Sequence, residues 1–253
     1  MSTLSAVIIT FNEERNIRRC LESLQGVANE ILVVDSGSTD QTTAIAERLG
    51  AKVVQQPFLG YIEQKNFAND CATGEWILSL DADEALSPEL KASVIKTMQQ
   101  PNGAGYTMNR LTNYCGDWVR HSGWYPDKKL RLFRKGDGHW TGINPDDRYE
   151  LFGNAVPLHL PGDLLHYSYH TISDHLRQID RFSAIGAKAL YDKGVKANLL
   201  MLLYKPVARF LRSYVVWSGF RDGLTGFIIA VNSAHAVFLK YLRLYYLQKG
   251  KSL

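Results

Sequence analysis

Residues 30–40 read Glu30-Ile-Leu-Val-Val-Asp35-Ser-Gly-Ser-Thr-Asp40, an almost wholly apolar run that ends in acidic and small polar residues. Strands buried on both faces of a parallel sheet have this pattern. Similar runs lie on either side of it, at 5–10 and 76–80, and the segment between the first two has apolar residues at helical spacing. The alternation predicts an α/β fold with a mostly parallel, Rossmann-like sheet flanked by helices.

Composition sets the class of protein. The chain has 253 residues, of which 45% are hydrophobic and 21% charged, and this excludes disordered and collagen-like chains. The cysteines are Cys20, Cys71 and Cys115, an odd number without metal-ligand spacing, which favours the reducing cytoplasm over a secreted disulfide scaffold.

The pattern of elements predicts two segments. Residues 1–182 are expected to form the catalytic domain, with a nucleotide half at about 1–100 and an acceptor half of short strands at about 101–182. Residues 183–253 are expected to form a helical, basic extension. From residue 181 to the end, 12 Lys and Arg residues face two acidic ones, whereas the rest of the chain has a net charge of −6. The two segments are therefore expected to meet different partners.

The candidate site lies where the predicted strands end, since ligands of parallel sheets bind at the carboxyl ends of the strands. The chain contains neither a GxGxxG nor a GxxxxGK[ST] loop, so another group must neutralise a bound phosphate. Asp81 and Asp83 follow the strand at 76–80 and could hold Mg²⁺ or Mn²⁺ there. A solvated turn or a helix cap is the alternative interpretation of the same residues.

Three motifs in this order resemble the family 2 glycosyltransferases, which are inverting enzymes of the GT-A fold. They are Val7-Ile-Ile-Thr-Phe-Asn-Glu-Glu-Arg-Asn16, Val34-Asp-Ser-Gly-Ser-Thr-Asp40 and Asp81-Ala-Asp83. Within the family, 60–66, 129–134 and the compact length resemble the lipopolysaccharide core β-1,4-glucosyltransferases, which add glucose to inner-core heptose.

The resemblance implies roles for the residues at the matching positions. Thr10, Asn12 and Glu13 would line the nucleoside pocket, and Asp35 would recognise the uracil or ribose. Lys65 would lie near the base or diphosphate. Asp81 would contact the donor ribose, and Asp83 would hold the divalent metal, with Asp81 as a second candidate ligand.

The reaction needs a carboxylate that accepts the acceptor proton and groups that stabilise the diphosphate. Related enzymes carry a His followed by an acid near 140–150, and in that register Asp147 would be the base. This chain has Asp146 where the His would stand, so Asp146 and Glu150 remain competitors, and turn formation after a proline is a further alternative. Arg131 and Arg134, on a predicted strand, are candidate phosphate contacts.

Two further residues are candidates that also have a structural interpretation. His166 is a possible extra ligand to metal or diphosphate, although a hydrogen-bonded structural histidine is the favoured interpretation. Trp124 could stack on a sugar ring, but aromatic residues at this density are equally typical of core packing.

The basic extension mixes Lys and Arg with aromatic and aliphatic residues, as helices at an anionic membrane interface do. Its uncharged run, 224–239, is shorter than the ~20 apolar residues that cross a bilayer. A helical bundle packed on the catalytic domain, or across a homo-oligomer interface, is the alternative.

The predicted function is therefore metal-dependent transfer of a hexose, glucose being favoured, from a UDP-sugar to a lipid-linked saccharide of the lipopolysaccharide inner core. The expected location is the cytoplasmic face of the inner membrane, with the enzyme held peripherally. Alternatives are transfer to polyprenyl phosphate, hydrolysis by paired carboxylates, and non-catalytic binding of nucleotide sugars or anionic lipid. Nucleic acid is not an expected partner, because no recognisable reading motif is present.

Overall fold

The computed structural model describes residues 2–143, 146–153 and 155–251, except for the side chains of Ile143 and Asp146. It divides the chain into two compact units. Unit 1 consists of Met1–Arg110 and Asp127–Tyr167, and unit 2 of Leu111–Pro126 and Ser168–Leu253. The boundary that the sequence suggests near Ser183 falls inside a continuous helix, because the change in composition there does not coincide with the end of an element.

Unit 1 begins with alternating strands and helices. The strands are β1 (Leu4–Thr10), β2 (Glu30–Asp35), β3 (Lys52–Gln55), β4 (Trp76–Asp81) and the short β5 (Glu84–Leu86). The helices are α1 (Ile17–Leu24), α2 (Thr42–Arg48), α3 (Tyr61–Cys71) and α4 (Pro88–Gln99). Helix α4 begins as its sequence predicts, since the Ser87 hydroxyl accepts a hydrogen bond from the Leu90 amide and proline occupies the first turn.

The later elements are mostly strands until residue 169. They are β6 (Gly105–Tyr114), β7 (Asp117–Val119), β8 (Asp127–Arg134), β9 (Gly138–Ile143), β10 (Asp146–Leu151) and β11 (Leu158–Tyr169). The main sheet has the order β3-β2-β1-β4-β8-β6-β11-β5, and β9 and β10 form a separate antiparallel hairpin.

The sheet is parallel only where helices connect its strands. The β3-β2-β1-β4 pairings are parallel, whereas β8 pairs antiparallel with β4 and β6, and β11 with β5. Parallel neighbours need a crossover connection, and residues 101–169 provide no helix for one in the described ranges. The predicted α/β class with flanking helices is confirmed, and the sheet is more mixed than the sequence suggests.

The core of unit 1 lies on both faces of the sheet. Along β1, Ala6 and Ile8 pack with α1 and α4, whereas Val7, between them, packs on the opposite face with Ala68 of α3. Successive strand side chains point to opposite faces, so only a run that is apolar throughout can fill both layers. This is why the motif residues, at the ends of these runs, are held by a rigid frame.

Unit 2 contains the three long helices α5 (Ile172–Asp192), α6 (Leu199–Leu211) and α7 (Gly223–Leu247), of which α7 packs against both others. A π-helical turn (Arg212–Val216) and a 3-10 turn (Gly219–Asp222) connect α6 to α7. By length and composition alone, the stretch Gly219–Leu247 could cross a membrane, and it is the only such helix in the described chain. The helix continues well beyond residue 239, where the sequence-based estimate ended the apolar run.

Candidate active site

The first two motif loops are held together by hydrogen bonds between them. The Asp35 carboxylate, fully buried at the end of β2, accepts hydrogen bonds from the Gly37 and Ser38 amides at 2.9 and 2.8 Å and from the Ser38 hydroxyl. The Asn12 backbone amide donates a hydrogen bond to the Ser38 hydroxyl at 2.8 Å. The Asn12 side-chain oxygen accepts one from the Thr39 backbone amide, also at 2.8 Å. Asn12 has a φ of 56°, a left-handed conformation that Asn adopts more readily than most residues.

Two residues beside this loop have unusual polar environments. The Thr10 hydroxyl is buried at the end of β1 and has no hydrogen-bond partner within the described chain. Burial, together with the negative charges of Asp83, Asp40 and Asp81, raises the pKa of Glu13 to about 7, although the Asn16 amide donates to its carboxylate. Unsatisfied buried polar groups are costly, so this edge of the sheet has unused capacity for a polar ligand.

Lys65 connects two carboxylates that are far apart in the sequence. Its ammonium lies 2.9 Å from Asp81 Oδ1 and 2.8 Å from Asp147 Oδ2, and its side chain is only 3% exposed. The same ammonium lies 4.5 Å from the centroid of the Trp140 ring. Asp81 and the candidate base Asp147 therefore share one buried cation.

Arg131 forms the second cationic centre. Its Nη2 lies 2.8 Å from Asp81 Oδ2 and 2.8 Å from Oε1 of the buried Glu84. Burial acts to raise the pKa of Asp81, but the charges of Lys65 and Arg131 outweigh it and hold that pKa well below its usual value. The Nε and Nη1 atoms of Arg131 are buried without a partner in the part of the chain that is described.

Asp83 has a different partner. Its Oδ2 lies 3.2 Å from Nε2 of His166, because the antiparallel pairing of β5 and β11 sets His166 opposite Glu84. Burial acts to raise the pKa of Asp83, but the nearby imidazole outweighs it and lowers the pKa. A carboxylate and an imidazole are thereby presented side by side at the end of β4.

The three candidates for the base lie on β10, where successive side chains point to opposite faces of the strand. Asp147 is 11% exposed and lies on the same strand face as the buried Tyr149, whose ring stacks on Phe133. Glu150 is 47% exposed and pairs with Arg148 instead. The side chain of Asp146 lies outside the described residues.

The two remaining predicted contacts, Arg134 and Trp124, have other neighbours. Arg134 is exposed and pairs in register with Trp76, at the end of β4 opposite to Asp81. Trp124 belongs to unit 2, where its ring contacts those of Tyr114, Tyr169 and His175. In that unit it belongs to an aromatic core cluster.

Glu84 and Arg110 also belong to the site, although neither is part of the sequence motifs that predicted it. Glu84 accepts from Arg131 and lies 3.5 Å from Arg110 Nη1, while Arg110 Nη2 lies 2.8 Å from Asp127 Oδ2. The signal in the sequence was the position of Glu84, which directly follows the Asp81-Ala-Asp83 motif. Its full burial, which explains the need for a cationic partner, is visible only in the structure.

A metal has two candidate ligands at this site. No group of three or more His, Cys, Asp or Glu side chains arranged to hold a metal occurs among the described residues. The Asp83 carboxylate is a hard oxygen ligand of the kind that Mg²⁺ and Mn²⁺ prefer, and the neighbouring His166 imidazole would suit Mn²⁺ better than Mg²⁺. Asp81 is a poorer candidate, because both of its oxygens already face cations.

The sequence of the chain is similar to those of known glycosyltransferases. Residues 5–152 match Glycosyl transferase family 2. The chain is 32% identical to an uncharacterized glycosyltransferase of Rickettsia typhi, over 96% of this chain and 87% of that protein. It is 30% identical to the lipopolysaccharide core biosynthesis glycosyltransferase LpsC of Rhizobium meliloti, over 96% and 92%.

Among solved structures, one similar chain is the glucosyl-3-phosphoglycerate synthase of Mycobacterium tuberculosis, crystallised with Mn²⁺, UDP and glucosyl-3-phosphoglycerate. It has a TM-score of 0.38 and 24% identity over 44% of each chain. The family match covers more than half of the chain, and the similarity to LpsC and the Rickettsia protein extends over nearly all of it. The chain therefore belongs to glycosyl transferase family 2.

Proposed function

We propose that this glycosyltransferase transfers a hexose from a UDP-sugar to a lipid-linked saccharide of the lipopolysaccharide inner core. Glucose is the favoured hexose. The observation that carries the proposal is the cluster at the end of β4, where Lys65 links Asp81 to Asp147 and Asp83 adjoins His166. The similarity to LpsC, named for lipopolysaccharide core biosynthesis, supports this acceptor class.

The chemistry follows from these groups. The acceptor hydroxyl attacks the anomeric carbon, the bond to that hydroxyl oxygen forms as the bond to the diphosphate oxygen breaks, and UDP leaves from the opposite face. Asp147 is the proposed base that takes the hydroxyl proton, and Lys65 orients its carboxylate at 2.8 Å. Groups of this kind must be preorganised where charge develops, and both residues are held by buried ion pairs.

Asp83 would hold Mg²⁺ or Mn²⁺, and His166 would join it as a ligand to Mn²⁺. When bound, the metal supplies positive charge that stabilises the leaving diphosphate. Arg131 holds Asp81 and Glu84 in place and keeps two further buried N–H donors, Nε and Nη1, available. Asp35, Asn12, Glu13 and Thr10 are proposed to bind the nucleoside, because their loops meet at the ends of β1 and β2.

The proposed location is the cytoplasmic face of the inner membrane, where a lipid-linked acceptor would be reached. The basic residues of the C-terminal helices support peripheral association with an anionic surface. Association with a second copy through the same helices is the competing arrangement.

The first experiment measures thermal stabilisation by UDP, GDP, CMP and NAD, each with and without Mn²⁺ or Mg²⁺. A ligand that binds only the folded state raises its stability by mass action. We expect UDP to stabilise the protein only when metal is present. This stabilisation should disappear in Asp83→Ala. It should persist in the control Glu150→Gln, which alters an exposed carboxylate of β10.

Transfer from UDP-glucose and UDP-galactose to truncated lipopolysaccharide acceptors then tests the donor and acceptor. Product on an inner-core acceptor supports the proposal. Product only on polyprenyl phosphate, or free sugar without acceptor, would replace it with one of the alternatives. No response to any nucleotide contradicts the donor site itself.

A further inference from the structure

Helix α6 presents its apolar side chains to solvent. Leu200, Leu203, Val207 and Leu211 follow one another at intervals of three or four residues, and Val215 continues the row on the π-helical turn. These five side chains are 66%, 63%, 58%, 50% and 54% exposed. A helix of a globular protein normally turns such a stripe towards the core. The stripe of α6 therefore has no covering element in the described chain.

The start of α7 extends this surface. Leu224, Phe227 and Val231, also spaced by three and four residues, are exposed, and the Phe227 ring packs edge-on against Phe210 of α6. We call the eight residues the exposed apolar face: Leu200, Leu203, Val207, Leu211, Val215, Leu224, Phe227 and Val231. Scattered exposed apolar residues are normal, but a continuous set of this kind marks an interaction surface.

Basic residues border the α6 part of this face, whereas Asp222, which precedes the α7 part, has a side chain that is only 7% exposed and paired with His121. Between Lys193 and Phe220 the sequence contains five basic residues and no acidic ones: Lys193, Lys196, Lys205, Arg209 and Arg212. Lys193 and Lys196 are exposed before the stripe begins, and Arg212 is exposed near its other end. A basic border around an apolar face complements a surface that has negative headgroups above hydrocarbon.

Aromatic rings accompany the basic groups. The guanidinium groups of Arg209 and Arg212 lie 5.1 and 4.5 Å from the centroid of the Trp217 ring, and the Lys205 ammonium lies 5.0 Å from that of Tyr241. Tryptophan and tyrosine concentrate at membrane interfaces, and long basic side chains extend their charges to the headgroups. The same helices thus combine the three side-chain types of an interfacial surface.

We propose that the exposed apolar face lies flat in the interface of an anionic lipid bilayer and anchors the enzyme on one side of the membrane. A second copy of the chain is a poorer occupant, because a two-fold interface would oppose the same basic residues on both subunits. The inference deepens the proposed function, on which it rests for the lipid-linked acceptor, but the surface itself is independent of the donor site.

The environment of α7 argues against a span. Its Arg243 donates hydrogen bonds to the Asp180 carboxylate and the Ser183 hydroxyl of α5. Helix α5 also carries Arg177, Arg181 and Lys188. If α7 crossed the bilayer, α5 packed along it would bring these charges into hydrocarbon, at high cost. A contact restricted to the exposed apolar face does not require the charges of α5 to enter hydrocarbon.

The experiment is flotation of the full chain with vesicles of phosphatidylcholine alone or mixed with phosphatidylglycerol. We expect binding to the anionic vesicles, weakened by high salt. Replacement of Leu203 by Glu should lower the partition coefficient by about tenfold, since the lost apolar contact is of the size of one buried leucine. The control Ile95→Glu, an exposed isoleucine of α4 in unit 1, should bind as the unaltered protein does.

Each other outcome overturns the inference. Unchanged flotation of Leu203→Glu, with its circular dichroism intact, removes the face as the membrane contact. A change from dimer to monomer in sedimentation, with flotation unchanged, assigns the face to a second copy. Resistance to extraction by alkaline carbonate assigns α7 to a span.

Stabilisation by UDP is measured on the same samples. If flotation fails while UDP still stabilises the protein, the surface is wrong and the donor site stands. If UDP fails while flotation follows the expected pattern, the proposed function is wrong and the membrane surface stands.

Discussion

The Lys65 ammonium lies 2.8 Å from Asp147 Oδ2, although 82 residues separate the two in the sequence. Lys65 is on α3 and Asp147 on the β9–β10 hairpin, so the ion pair fixes the hairpin to the helical layer of unit 1. The hydrogen bond from the Asn66 amide to the Trp140 carbonyl, at 3.0 Å, reinforces this connection. The proposed base is therefore positioned by α3, a helix of the predicted nucleotide half of the chain.

Replacement of Asp147 by Asn tests its assignment as the base. An amide cannot accept the hydroxyl proton, so kcat should fall by about 10²–10⁴, the usual contribution of general base catalysis. KM for the UDP-sugar should change little. Release of UDP in the presence of acceptor measures both parameters.

The matched control is Glu150→Gln, three residues along the same strand, which should retain activity within about twofold because a surface substitution of this kind is nearly neutral. If Glu150→Gln abolishes turnover and Asp147→Asn does not, the base has been assigned to the wrong carboxylate.

Arg131 and Arg134 should differ sharply in their effects on stability. Arg131→Gln removes the nearer of the two cations that face the buried Glu84 and leaves Asp81 with Lys65 alone. Breaking a buried ion pair in this way costs about 3–5 kcal/mol of unfolding free energy. Arg134→Gln alters an exposed residue and should cost less than about 0.5 kcal/mol. Denaturation by urea measures both. Equal effects would mean that the Asp81–Arg131–Glu84 network contributes little to the fold.

His166 is predicted to contribute to metal affinity. Its imidazole lies 3.2 Å from Asp83, so His166→Gln should raise the Mn²⁺ concentration needed for UDP stabilisation by about tenfold or more, in line with the loss of a ligand or of its supporting partner. His139→Gln, in the same unit, is the control and should leave that concentration unchanged. Identical metal titrations for both variants would restrict His166 to a structural role.

The local patterns predicted some parts of the site and missed others. Asp35, Asp81 and Asp83 were placed at strand ends because each follows an apolar run that can be recognised within a few residues. Asp83 and His166 are 83 residues apart in the sequence. Their pairing depends on the register of β5 against β11, which no local period encodes. The antiparallel half of the sheet was missed for the same reason.

Arg134 illustrates a related difficulty. It shares a strand with Arg131, and sequence alone assigned both to the diphosphate, yet three residues of an extended strand separate their positions by about 10 Å. Arg131 is buried beside Asp81, whereas Arg134 is exposed at the far end. Direction along a strand, rather than membership of it, decides which side chain reaches the site.

Unit 2 should lose stability in acid through His175. Burial lowers the pKa of its imidazole to about 4, below the ordinary 6.5, so the unfolded chain binds more protons between these values. The free energy of unfolding should therefore rise with pH from about 4 to 6.5, by up to about 3 kcal/mol. Urea denaturation across this pH range measures the effect. In His175→Gln the free energy of unfolding should depend less steeply on pH than in the unaltered protein. The control His235→Gln, an exposed histidine of α7, should keep the slope of the unaltered protein.

The hydrogen bonds of Asp35 with its own loop have a consequence for the speed of nucleotide binding. The carboxylate already holds the backbone of Gly37 and Ser38, and Asn12 joins this loop to the loop that follows β1, before any ligand arrives. Ordering a loop is one of the main entropic costs of association, and here that cost is met during folding. The association rate constant for a nucleotide should therefore depend on diffusion and ionic strength, with no slow rearrangement of this loop in the kinetics.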